Sequence, residues 1–210
     1  MIEPADTRPD ERSRILAAAE ELIIERGLDS VGAAEIAERA GLDEALVEAT
    51  VGSTDELIAA AVQWDDLRVE RDITARFDQL PRASDKLVAL IEGCVTAGEH
   101  DWTLWIELYS RALRSPVAAE ARQRLDDRFR SLIARIIAEG QASGEFEAGD
   151  PDRLAVTIST LIDSFAVMAT LGDSTVSPNY MLEACGGAAG AMLGADLRGR
   201  FGRGREAGGA

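Results

Sequence analysis

Three aromatic side chains, Trp102, Trp105 and Tyr109, recur at intervals of three and four in HDWTLWIELY, a spacing that puts them on one face of a helix. Such a stripe either fills a core or lines a cavity for an apolar or amphipathic small molecule, since ligand cavities are largely apolar with a few convergent polar groups. Glu107 and Asp163 stand in otherwise apolar segments, where an unpaired buried carboxylate is expensive. They either pair helices or recognise a cation. His100 is the single histidine, and with no second His, Cys or spaced carboxylate set beside it no metal site is expected. No Ser-His-Asp set and no phosphate-cradling glycine loop is visible, and Gly98 leaves the geometry of Cys94 and His100 undefined. An enzymatic role would rest on the cavity alone, so no catalytic residue and no cofactor is assigned.

The elements that hold these residues are all helices. Nearly every segment longer than ten residues has apolar positions at helical spacing, and none alternates with a period of two. The fold class is all-α with about nine helices. ERSRILAAAEELIIERG lines up Ile15, Leu16, Ala19, Leu22 and Ile23 and stops at Gly27; AAEIAERAG ends at Gly41, and DEALVEAT follows with Asp43 as its N-cap. Ser53 or Thr54 then opens a long helix that closes before Pro81, because the residue preceding proline avoids the helical region. Five more helices are expected over about 84–97, 100–114, 116–143, 151–171 and 178–197, three of them opening with proline at or near the first position.

Charge narrows the partners. Lys86 is the only lysine among 22 basic residues, and 38 acids leave a net charge of −16, so the molecule as a whole repels polyanions. Cys94 and Cys185 read as free buried thiols in a reducing compartment, the N-terminus lacks a signal-peptide pattern, and no apolar run approaches the roughly 20 residues that cross a bilayer. A cytoplasmic protein without membrane contact is expected.

The order ILAAAEELIIERG, AAEIAERAGL, an eight-residue helix, then STDEL opening a long helix resembles the N-terminal helix-turn-helix of the TetR family of bacterial transcriptional regulators. Ala18, Leu22, Gly27, Ile36, Ala37, Ala40, Gly41 and Leu57 fall where that family places core or turn residues. The stretch from WTLWIELYSRALRSP to LIDSFAVMATLG is similar to the ligand-binding and dimerisation domain of its betaine-type repressors. The resemblance implies an arm over 1–9, a helix-turn-helix domain over 10–57, a ligand and dimer domain over 58–197 and a flexible tail over 198–210. It also implies a ligand-responsive regulator, a repressor, acting as a homodimer.

Where the family usually places phosphate-contacting Thr, Lys and Tyr, this chain matches with Val31 and Gly32, Glu44, Glu48 with Ala49, Thr50 with Val51, and Thr54. Between residues 12 and 57 there are four arginines against eleven acids. Because DNA affinity comes largely from cations that release counterions from phosphates, two readings stay open. In one, Arg8, Arg12 and Arg14, with the tail arginines, hold phosphates while Ala45, Leu46, Thr50 and other small side chains meet base edges. In the other, the helix-turn-helix is only scaffold, and the chain is a small-molecule binder, an enzyme or the partner of another regulator.

The resemblance further implies a cavity in which Trp102, Trp105 and Tyr109 face Cys94, Phe165 and Met168. It pairs the last two helices with their copies across a two-fold axis, with Asp163 at that interface. Gly186, Gly190 and Gly194, at intervals of four, lie on one face of the last helix. Glycine weakens a helix, so the stripe suggests close approach of another helix there.

Overall fold

A computed structural model describes residues 10–96 and 99–201. Among them there are nine α-helices and no strand: α1 (Glu11–Arg26), α2 (Ala33–Ala40), α3 (Glu44–Val51), α4 (Thr54–Thr74), α5 (Ala83–Thr96), α6 (Glu99–Ala112), α7 (Pro116–Ser143), α8 (Pro151–Thr170) and α9 (Pro178–Leu193). Single 3-10 turns lie at Leu28–Ser30, Phe77–Gln79 and Arg198–Arg200. The expected all-α class and helix order are what the structure has. Two helices end early. α4 stops at Thr74, and α9 stops where Gly194 takes a left-handed φ of 64°, a conformation that costs other residues a steric penalty.

Side chains close the open helix ends. The Asp10 carboxylate accepts from Ser13 N–H to cap α1, and Asp43, the N-cap expected from the sequence, accepts from Ala45 N–H to cap α3. Ser53 and Glu56 form a reciprocal box at α4: Glu56 N–H donates to Ser53 Oγ, while the Glu56 carboxylate accepts from Ser53 N–H and its hydroxyl. Asp150 and Ser177 do the same work for α8 and α9, each followed by proline.

The chain divides into two compact units, residues 1–66 with 103–122 and residues 67–102 with 123–210. Beyond the first three helices, the first unit takes in the start of α4, α6 from Thr103 onward and the start of α7 as far as Arg122. Its buried residues include Ile15, Leu22, Ile23, Leu28, Ile36, Val47, Ile58, Leu104 and Leu108.

The second unit has one core, in which Leu87, Leu90 and Ile91 of α5, Ile133 and Ile137 of α7, Ile158 and Ile162 of α8, and Cys185, Ala189 and Leu193 of α9 cluster. Glu145, between α7 and α8, fastens the start of α5. It accepts from Ser84 Oγ, from the N–H groups of Ala83 and Ser84, and from Arg82. Burial by itself would push this carboxyl up, but those donors outweigh it and hold it at about 2.

Two expectations are corrected here. α8 is twenty residues long and contains an 18-residue window with a mean hydropathy of 1.3, so by length and composition it could cross a bilayer, which the sequence reading does not expect. Ala155, Ile158, Ile162 and Ala166 bury one side of it in the core of the second unit, which gives the apolar pattern its reason. The expected tail from 198 is structured through 201, because Leu197 is buried and Phe201 packs against the same core.

Candidate nucleic-acid interface and ligand helix

The helix-turn-helix lies wholly in the first unit. α1 packs on α2 and α2 on α3, with the turn made at Gly41, whose φ of 65° suits glycine and whose N–H returns to the end of α2. On α3, Val47 is fully buried while Glu44, Ala45, Glu48 and Ala49 are exposed; Leu46 and Thr50 flank them, half-buried. This is the outward face the sequence predicts, and its two charged residues are both acidic.

Three of the residues proposed to meet DNA have other engagements. Arg14 donates to the carbonyls of Ala40 (2.5 Å) and Gly41 (3.1 Å), so its guanidinium closes the C-terminal end of α2. Helix-end carbonyls without partners attract the nearest cation, which gives this exposed arginine a structural role beside the one expected of it. The Thr50 hydroxyl donates to the Leu46 carbonyl at 2.7 Å, leaving only its acceptor side for a base edge. Thr54 is exposed at the start of α4, but the Ser53–Glu56 box already satisfies that end. Arg12 and Gly32 are exposed, Val31 is half-buried, and Arg8 lies outside the described residues.

Helix N-termini are the usual anion sites of such a motif, since free N–H groups and the helix dipole both favour negative charge. Here the chain supplies the anion. Glu35 accepts from Gly32 N–H (3.1 Å) at α2, Asp43 sits at α3 and Glu56 at α4. Hydrogen bonds from Ser53 hold the Glu56 carboxyl below the usual range. Arg39 is likewise spent on Glu21 and Glu25 of α1.

The second half of α6 belongs to the same unit and carries two kinds of residue. Trp105 and Tyr109 stack at 5.8 Å between ring centroids, tilted by 59°, and both are half-buried. Between and beyond them, Glu107 accepts from Leu28 N–H (3.3 Å), and Arg111 pairs with Asp29 (2.5 Å) and lies 3.8 Å from Asp55. Of the two roles open to Glu107, the structure gives the structural one. Nothing in its sequence position names Leu28 or Asp29 as partners, because these contacts span about 80 residues of chain.

The remaining cavity candidates lie in the second unit. Trp102 Nε1 donates to the Cys94 carbonyl at 3.5 Å, and Phe165 stacks edge-on against Tyr180 of α9 at 5.8 Å. Met168 is 36% exposed, beside exposed Ser164 and Leu171, so it belongs to the outer face of α8 and not to a cavity wall. The side chain of His100 lies outside those described, and among the described residues no group of three His, Cys, Asp or Glu could hold a metal.

Asp163 is half-buried on α8. Burial first, and then the charge of Asp126 on α7, push its carboxyl up to about 7 against a lowering pull from Arg130. Because its folded pKa lies above the unfolded value of 3.8, the stability it contributes is complete below pH 4 and is lost as pH rises through about 7. Asp163→Asn should flatten that decline, raising the melting temperature at pH 8 and leaving it nearly unchanged at pH 4. Equal shifts at both pH values in thermal unfolding would contradict a buried, near-neutral Asp163.

The glycine stripe also has an explanation within the chain. A Cβ on Gly190 would lie 2.5 Å from the Ala195 carbonyl oxygen, and one on Gly186 would meet the Phe201 ring. Gly194 is the left-handed cap that ends the helix, so it leaves the stripe altogether. The element approaching these glycines is the chain's own C-terminal segment.

Comparison with known proteins agrees with this architecture. Residues 15–61 match the domain described as bacterial regulatory proteins of the tetR family, and residues 83–194 match the C-terminal domain of BetI-type transcriptional repressors. An uncharacterized HTH-type transcriptional regulator of Mycobacterium bovis is 26% identical over 177 residues, which cover 83% of this chain and 89% of the relative. A transcriptional regulator of Saccharomonospora viridis, solved in complex with choline, superposes with a TM-score of 0.74 at 26% identity, covering 85% of this chain and 94% of that one. A TetR-family regulator from Rhodococcus sp. has the same fold, with a TM-score of 0.78 at 22% identity over 87% and 98% of the two chains. With a recognisable helix-turn-helix and more than half its length in the BetI-type domain, the chain belongs to the TetR family of transcriptional regulators.

Proposed function

We propose that the protein is a ligand-responsive repressor, a homodimer that binds DNA in the cytoplasm with little help from phosphate contacts. The observation that carries this is α6, which presents Trp105 and Tyr109 and is bonded, through Glu107 and Arg111, to Leu28 and Asp29 beside the helix-turn-helix. A ligand that shifts the aromatics therefore moves residues tied to the DNA-reading domain, and any preference of the ligand for one position of α6 biases both. The dimer rests on the outer face of α8, where Val156, Thr160, Ser164 and Met168, with Leu171 just past its end, are exposed and uncharged. Asp163, Gly186, Gly190 and Gly194 enter that interface less directly than the sequence suggests, since each is engaged within its own chain.

The ligand is a small amphipathic molecule, and choline is the natural first probe. It binds the Saccharomonospora relative, and aromatic faces such as Trp105 and Tyr109 attract quaternary ammonium groups. Fluorescence anisotropy on the gene's own upstream region, with and without choline, tests the reading. Specific binding should exceed that to random duplex, fall with choline, and depend only weakly on salt, because few counterions are released by so acidic a domain. Absence of any preference for the upstream region at ~20 mM salt, a condition that favours charge contacts, would remove the repressor reading and leave the scaffold alternative.

A further inference from the structure

The segment after α9 turns back at once. Gly194 and Ala195 both donate to the Gly190 carbonyl, Glu147 N–H donates to the Leu193 carbonyl, and the chain then runs along the glycine face of α9. Leu197 is fully buried, Arg198 covers Gly187, and Phe201 covers Gly186. Arg200 reaches a different helix: it donates to Ser84 Oγ and pairs with Asp85 at 3.0 Å, both in the first turn of α5.

We propose that residues 195–201 are an intramolecular strap, seated on Gly186, Gly187 and Gly190 and clamped to α5 by Arg200, which holds the C-terminal half of α9 helical. The reasoning starts from propensity. A helix with three interior glycines in five positions is weak by itself, and is retained when close packing compensates. The strap supplies that packing, and it needs those glycines because any Cβ there would displace it. At Gly190 the obstacle is backbone, which cannot rotate away; at Gly186 and Gly187 it is a side chain. α5 and the turn at Glu145 are fastened to the same Ser84, so opening the strap loosens one connected corner of the second unit. This inference concerns one chain and does not depend on DNA or ligand binding.

A cycle of full-length variants tests it: Gly186→Ala, Phe201→Ala and the pair. Gly186→Ala alone should lower the melting temperature by about 3 °C or more, the usual response of a chain this size to a lost core contact. In the Phe201→Ala background the same change should be neutral or stabilising, since the ring it collides with is gone and alanine favours helix. Limited trypsin digestion read by mass spectrometry adds a second measure. Cleavage after Arg198 should be at least ~10-fold faster in Phe201→Ala than in the unmodified chain, because cleavage tracks the population of the open segment. If the two substitutions are additive, or if Gly186→Ala weakens dimerisation equally in both backgrounds by sedimentation, the glycines seat a second copy and the strap is overturned.

Discussion

Glu44→Lys combined with Glu48→Tyr raises affinity for a random duplex by at least roughly tenfold at low salt and steepens its salt dependence by about one unit per copy for a lysine–phosphate contact. Both positions are exposed on α3, and Val47 between them carries the packing, so the pair changes charge and leaves the core intact. The first substitution moves the local charge by two and the second by one, within a Debye length of about 10 Å of any docked backbone. Anisotropy over a salt series, on random and upstream duplexes, separates the effects. A charge gain should lift both duplexes together and narrow the ratio between them. If affinity for random DNA does not change, α3 is not the face presented to the duplex, whatever the fold.

Trp105→Ala should abolish choline-dependent release from DNA while costing less stability than Leu108→Ala one turn away. Leu108 is fully buried, and truncating a buried leucine costs about 2–5 kcal/mol. Trp105 is half-buried where Leu108 is fully buried, so less packing is lost with it. Calorimetric titration with choline and thermal unfolding on both variants give the comparison. Should Trp105→Ala destabilise as much as Leu108→Ala and bind choline normally, the aromatic pair is core and the ligand is held elsewhere.

Much of the architecture was legible in the chain because it is written in local chemistry. Apolar spacing of three and four defines each helix, Asp43 and Ser53 open α3 and α4, and the prolines at 116, 151 and 178 open α7, α8 and α9. The exposed face of α3 also follows from spacing alone, once Val47 is recognised as its inward residue. The pattern Ser53-x-x-Glu56 is itself a readable capping box.

What the sequence left open depends on which distant groups meet. Arg14 looked like a phosphate ligand because it is a cation near a DNA-reading motif. Tertiary packing also brings it to the open carbonyls of α2, 26 residues away, where it closes the helix end. The glycines of α9 announced a close approach but not its source: their spacing is the same whether a second copy or the returning chain fills the groove, and only the backward turn at Gly194 selects the chain itself. Periodicity and caps act within a few residues, so one sequence carries them entirely. Partnerships such as Glu107 with Leu28 and Arg200 with Asp85 exist only after packing has fixed the helices, because each is a contact between segments that local rules do not relate.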